Sequence, residues 1–251
     1  MFKSYYFLNR YIIELRQIIN NKTIVDIFSQ EKDKLIIRLN GSEAYFLEIS
    51  VNPSEPFLNI KNKFDRARKN TLDFFPQIYG ARIKDILIAS DDRIILLSTN
   101  KGEIYFTVRG RLTNVFLIQN KIRESFKKES EEKLLEILNE FLEKRYLNFF
   151  NLIDVEDLIG KNIEQIRKEF PFMGKDISNE VKLRSMQKDD EYKTLIDVLY
   201  LIKNEKPIIY NDNINGTLQI GFNNMKIFAG MEKEYYNDLI TAFNSFISKK
   251  Y

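Results

Sequence analysis

Apolar residues recur at helical spacing near the start of the chain, at Leu8, Tyr11, Ile12, Leu15, Ile18 and Ile19. This predicts a helix over residues 4–19 with one buried face and Ser4 as its N-cap. Arg10, Glu14 and Gln17 fall off that face, and "NNK" at 20–22 ends the helix. The period then shortens to two. "TIVDIFSQ" and "KLIIRLN" predict paired strands across "EKD", and Asn40-Gly41 predicts a hairpin into "AYFLEISV". "NPSEP" at 52–56 is a loop, because each proline biases its predecessor away from the helical region. The basic stretch "KNKFDRARKN" predicts a helix continuing to Tyr79, with Pro76 inside it and Gly80 as its stop. Strands follow at roughly 82–89, 93–98, 103–108 and 113–119, with Asn100-Lys101-Gly102 and Arg109-Gly110-Arg111 in the turns.

After Asn120 the pattern becomes helical. "ESEEKLLEILNEFLEKRYLNFF" carries acids early and Lys144-Arg145 late, as the helix dipole favours. "IEQIRKEF", "KDISNEVKLRSM" and "EYKTLIDVLYLIKN" predict further helices, and "PFMG" at 171–174 makes a helical hairpin of the first two. "KPIIY", "GTLQIGF" and "MKIFAG" predict short strands before a last helix from about Glu232. The expectation is an α+β chain: a β-rich domain over 1–122 and a mainly helical domain with a small β element over 123–251.

Composition narrows the chemistry. Forty-four per cent of the 251 residues are hydrophobic, with 20 Phe and 13 Tyr, enough for a sizeable core. Cys and His are both absent. This excludes disulfides, thiolate metal sites and the Ser–His and Cys–His nucleophile schemes, and no metal or cofactor site is expected. No glycine-rich phosphate loop is present, and carboxylate pairs such as Asp189-Asp190 lie in polar loops. No apolar run reaches the length of about 20 residues that spans a bilayer. The N-terminus lacks the small-residue cleavage site of a signal peptide, so a cytoplasmic, membrane-free protein is expected.

The net charge of +3 is unevenly spread. Lys61 to Arg123 holds thirteen basic residues and six acids, a net of +7, and the rest of the chain sums to −4. A local excess of this kind is the footprint of a phosphate-binding surface, or of a solvated face with no partner. Lys61, Lys63, Arg66, Arg68 and Lys69 are the candidate cations of such a face.

Five segments, in order and spacing, resemble the N-terminal half of the NFACT family: "TIVDIFSQEKDKLIIRL", "EISVNPSEP", "IYGARIKDI", "DDRIIL" and "FTVRGRLTNVFLI". That family includes the bacterial fibronectin-binding protein A group and the RqcH-type ribosome quality-control factors. The resemblance implies an N-terminal domain like that of formamidopyrimidine-DNA glycosylases, followed by a helix-hairpin-helix domain. It does not imply glycosylase activity, because Phe2 follows Met1 where those enzymes have a catalytic Pro and Glu. It further implies a coiled coil beginning near "SFISKKY" and a C-terminal RNA-binding domain beyond it.

By the same resemblance the expected partners are tRNA and the large ribosomal subunit, and the expected activity is recruitment of tRNA for template-free tailing of a stalled nascent chain. Asp92 and Arg93 match the family's tRNA-engaging pair, and Gly110 and Asn114 its glycine-and-Asn strand motif. Arg109 and Arg111 flank that glycine, and Gly174 belongs to the hairpin, where it could dock a backbone or a phosphate. Tyr5 to Leu8 replace a family Asp, and Phe57 replaces a family Arg. The alternatives are a fibronectin- or fibrinogen-binding adhesin and a scaffold module without tailing activity.

Overall fold

The computed structural model describes residues 3–41, 43–152, 158–185 and 190–250. The chain forms two compact units, one of Leu15–Asn148 and one of Met1–Glu14 with Phe149–Tyr251. Helix α1 (Tyr5–Ile19) contributes residues to both. Ser4 caps it as expected, its Oγ accepting from the Phe7 N–H at 3.3 Å.

The β-rich unit, Leu15–Asn148, is built from two antiparallel sheets. In the first, β1 (Thr23–Glu31), β2 (Lys34–Asn40), β3 (Tyr45–Ser50), β4 (Phe57–Lys61) and β5 (Leu72–Asp73) take the order β4-β3-β2-β1-β5. In the second, β6 (Ile83–Ala89), β7 (Ile94–Thr99), β8 (Glu103–Thr107), β9 (Val115–Gln119), β10 (Ile122–Ser125) and β11 (Tyr146–Leu147) take the order β10-β9-β8-β7-β6-β11. Ile37, Leu47 and Ile49 of the first sheet meet Ile86, Ile95 and Ile104 of the second around a small apolar gap. Helix α2 (Glu131–Glu143) covers the second sheet's other face, where Ile94, Leu96, Tyr105 and Phe116 pack on Leu134, Leu138 and Phe141. Alternate side chains of a strand point to opposite faces, so a strand covered on both must be apolar throughout. That is the physical reason for the unbroken "IILL" of β7.

The predicted basic helix before Tyr79 does not form. Residues 62–71 instead cross the outer face of the first sheet as an extended loop. Phe64 packs on Phe28 and Phe46, with ring centroids 5.8 and 5.9 Å apart. Arg66 lies 4.4 Å over the Phe28 ring and pairs with Asp26 at 3.1 Å and Asp73 at 2.7 Å. Ala67 donates its N–H to the Gln30 side chain. Asn70 and Phe75 have φ of 59° and 50°, left-handed values that interrupt a right-handed helix. Pro76 opens a short 3-10 turn, Pro76–Ile78. The sheet offers an aromatic bed and two carboxylates, and these tertiary partners override helix propensity.

The change of texture near 121–128 is the passage from β10 into α2, both inside the β-rich unit. The compact division falls after Glu14 and after Asn148, not at 122/123.

The second unit contains α3 (Ile163–Glu169), α4 (Lys175–Ser185), α5 (Glu191–Asn204) and α6 (Leu239–Lys250). Its small sheet has the order β13-β12-β14, from β12 (Pro207–Asp212), β13 (Thr217–Phe222) and β14 (Glu232–Tyr235). Phe7 on α1 packs on Phe222 and Phe243, at ring distances of 6.2 and 5.6 Å. Arg10 and Glu14, off the apolar stripe of α1, also have partners. Arg10 donates to the carbonyls of Ile202 and Glu205 at 2.5 and 2.6 Å, and Glu14 accepts from the Leu239 N–H at 2.6 Å. They satisfy backbone groups that helix ends leave open at the end of α5 and the start of α6.

Two elements of this unit differ from the sequence reading, as does Tyr146–Leu147 in the β-rich unit, which pairs with β6 as a strand where the sequence predicts helix. "MKIFAG" contains a 3-10 turn, Lys226–Phe228, rather than a strand. The final helix starts at Leu239 rather than near Glu232, because Glu232–Tyr235 is used to pair with β12. Asp238 marks the true start, its Oδ1 accepting from the Thr241 N–H at 2.7 Å.

Candidate nucleic-acid interface

The charged clusters at the ends of β7 and β8 form one network. The Asp92 carboxylate pairs with the Arg109 guanidinium. Arg109 also grips Glu140 on α2, with contacts of 2.6 and 2.9 Å. Lys144 bridges Asp91 at 2.9 Å and Glu140 at 3.7 Å. The Glu140 hydrogen bonds hold the Arg109 pKa above its ordinary value, and Arg109 in turn holds the Glu140 carboxyl below the usual range. Asp92 and Arg109 therefore pin α2 to the sheet end.

Arg93 also departs from the expected placement. Asp92 and Arg93 lie in a bend before β7, so strand alternation does not set their directions. The Arg93 N–H donates to Asp92 Oδ1 at 2.6 Å, and its carbonyl accepts from Val108 at 2.9 Å. Its side chain is half-buried, and burial pushes its pKa down against the pull of Asp92.

Asn114 is buried. Its Oδ1 accepts from the N–H groups of Val115 and Lys127, both at 2.8 Å, and its Nδ2 donates to the Lys127 carbonyl at 2.8 Å. It therefore stitches β9 to the segment after β10. Gly110 opens a 3-10 turn, Gly110–Leu112, with φ of 59°, and Arg111 beside it is exposed. Lys61 is held by the buried carboxylate of Glu48, and Arg66 is clamped between Asp26 and Asp73. Of the expected basic face, only Lys63, Arg68 and Lys69 stay exposed without an ion pair among the described residues.

Gly174 precedes α4 with φ of 96°, and a Cβ there would lie 2.9 Å from Ser4 Cβ. This glycine admits a close backbone approach. Gly174→Ala is expected to lower stability by about 1–3 kcal/mol, the range for a strained backbone conformation. A melting curve checks this. Met1, Phe2 and Asp189 lie outside the described residues. Among the described residues no helix is long and apolar enough to cross a membrane, and no group of three His, Cys, Asp or Glu could hold a metal ion.

The structure gathers a different set of cations at one end of the β-sandwich, where four segments meet. The loop 62–71 joins β1 through the Gln30–Ala67 hydrogen bond. The β1–β2 turn joins the segment after β10 through the Asp33–Lys127 ion pair at 3.2 Å. Lys127 binds Asn114, the residue that follows the 109–113 turn, through two bonds from its backbone. Five exposed cations lie on these segments, Lys32, Arg68, Lys69, Arg111 and Lys128, and none makes an ion pair among the described residues. The exposed acids left unpaired on the same segments and at the start of α2 are Asp65, Glu131 and Glu132. Lys32 and Lys128 were not candidates in the sequence. Each sits beside acids in the chain ("EKD", "FKKES"), but Asp33 is taken by Lys127 in a tertiary pair and Glu129 by Lys133 one helical turn on.

No protein-family model matches the chain, and no curated protein matches it in sequence. Solved structures do match its fold. The fibrinogen binding protein from Staphylococcus aureus aligns with a TM-score of 0.70 at 16% identity, over 98% of this chain and 99% of that one. The N-terminal part of the fibronectin/fibrinogen-binding protein from Streptococcus suis aligns with a TM-score of 0.69 at 15% identity, over 97% and 98%. The N-terminal domain of the fibronectin-binding protein PavA from Streptococcus pneumoniae aligns with a TM-score of 0.53 at 15% identity, over 98% of both. The chain thus shares, over nearly its whole length, the fold of the N-terminal domains of fibronectin- and fibrinogen-binding proteins.

Proposed function

We propose that this chain is an RNA-binding module, and that tRNA or ribosomal RNA docks on the five-cation end of the β-sandwich. The observation that carries the proposal is the gathering of Lys32, Arg68, Lys69, Arg111 and Lys128, all exposed and free of ion pairs among the described residues. Lys and Arg side chains in that state neutralise phosphates and release the counterions condensed on the nucleic acid. The resemblance to the NFACT family supports a place in ribosome quality control. There the module engages a stalled large subunit and recruits tRNA for tailing of the nascent chain, in the cytoplasm. The module binds and does not catalyse: it is proposed to leave oxidised DNA uncleaved and to need no cofactor.

A tRNA titration at two salt concentrations tests binding. If four or five phosphates are neutralised, affinity falls about a hundredfold or more between 50 and 200 mM salt. Affinity independent of salt, or no binding at low salt, contradicts the proposal. A second reading, binding of fibronectin or fibrinogen, is favoured by the names of the three structural neighbours. Retention of the chain on immobilised fibronectin or fibrinogen, undisturbed by competing tRNA, supports that reading instead.

A further inference from the structure

Beside the five cations lies an aromatic pair that the electrostatic reading does not use. Phe74 follows β5 and Phe126 follows β10, so the two come from the two different sheets. Their rings meet edge to face, 4.8 Å between centroids at 74°. Both side chains are half-buried, and Leu72, two residues before Phe74, is 68% exposed. Leu72 is thus an exposed apolar side chain in the strand that leads into Phe74. Cations flank it in sequence, with Arg68 and Lys69 before Leu72 and Lys128 after Phe126.

The backbone here is held in an uncommon state. Phe75 is 2% exposed and has φ of 50°, a left-handed value that is an outlier for a bulky side chain. The Phe74 N–H donates to the Ile27 carbonyl at 2.9 Å, and the Phe126 N–H to the Val115 carbonyl at 2.8 Å. Both Phe backbones are thus anchored, and the turn at Phe75 buries its own ring while leaving Phe74 at the rim. Strain of this kind persists where the surrounding structure over-determines it, often at a ligand clamp.

We propose that Leu72, Phe74 and Phe126 form a stacking ledge for an unpaired RNA base, with the adjacent cations holding the phosphates on either side. The ligand is then single-stranded or loop RNA rather than duplex, because a base inside a helix cannot present its face to a ring. This inference rests on the RNA-binding reading and deepens it.

The experiment uses the full chain with two RNA probes of equal length, a single strand of about ten nucleotides, within the range of single-strand site sizes, and a blunt duplex. The single strand carries 2-aminopurine, whose fluorescence is quenched by stacking. Binding is expected to quench it. Phe126→Leu is expected to abolish the quench and weaken single-strand binding about tenfold, within the range for one base stacked on an aromatic side chain. Duplex affinity is expected to stay the same, and Phe126→Tyr, which keeps the ring, to restore the quench. Arg68→Ser with Lys69→Ser is expected to weaken both probes.

Equal loss on both probes, or no loss with Phe126→Leu while the cation variant still weakens binding, reduces the ledge to a seal of the sandwich edge and leaves the RNA reading standing. A cation variant without effect removes the RNA reading itself. If Phe126→Leu fails to fold, the wild-type probe decides: binding without quenching overturns the ledge.

Discussion

Replacing Glu180 with Ala is expected to destabilise the helical unit by about 3–5 kcal/mol, the range for removing one partner of a buried charge pair. Glu180 lies on α4 and is 0% exposed. Its carboxylate accepts from the N–H groups of Lys226 and Ile227 at 2.9 and 2.8 Å, and pairs with Arg184. Arg184 also donates to the Asn224 carbonyl. One carboxylate therefore fixes the 3-10 turn after β13 against α4. Truncation leaves two N–H donors without their acceptor at a position closed to water, and removes the carboxylate partner of the partly exposed Arg184 guanidinium. Glu180→Gln keeps the shape and one acceptor, so its cost is expected to be smaller, about 1–3 kcal/mol for an imperfectly matched donor. Thermal unfolding of the two variants checks the order, and equal melting for wild type and Glu180→Ala contradicts it.

Phe141→Ala is expected to cost a similar 3–5 kcal/mol, through a cavity rather than a charge. Phe141 is fully buried on α2, with ring centroids 5.2 Å from Tyr105 and 5.4 Å from Phe116. It is the largest side chain by which α2 fills the outer face of the second sheet. The Arg109 guanidinium stands 5.9 Å from the same ring, so the ion network and the apolar contact share one helix end. Arg109→Ala alone removes a partly exposed network and is expected to cost less, about 1 kcal/mol or somewhat more. Because the two sites touch, the double variant is expected to deviate from the sum by about 0.5 kcal/mol or more. Denaturant titration of the two singles and the double measures this. Strict additivity contradicts a shared role in docking α2.

Much of the sheet architecture was legible in the sequence because it follows from local rules. Asn40-Gly41 does join β2 to β3, and Ile94 to Leu97 is apolar throughout because both faces are covered. The stretch from Lys61 to Tyr79 was misread because its composition suits a helix. Its structure is decided by Phe28 and Asp26, which lie far away in sequence, and by Asp73, which lies within the stretch but is drawn into pairing with β1. The candidate site was legible only in part. Arg68, Lys69 and Arg111 stay exposed, but Asp92, Arg109 and Asn114 find partners at Glu140 and Lys127 that no local pattern announces. The last helix was placed early for a similar reason, since nothing in "EKEY" reveals that β12 has a free edge to fill.

The most direct test of the RNA-binding account is a charge reversal at the five cations, set beside a three-cation reversal elsewhere on the β-rich unit. One variant carries Lys32→Glu, Arg68→Glu, Lys69→Glu, Arg111→Glu and Lys128→Glu. Its control carries Arg82→Glu, Lys84→Glu and Lys121→Glu, exposed cations toward the other end of their strands. Both are titrated with tRNA at fixed low salt, with melting curves alongside. The account predicts native-like melting for both, binding abolished in the first, and at most a few-fold loss in the control. Binding lost equally in both, or retained in the first, contradicts it.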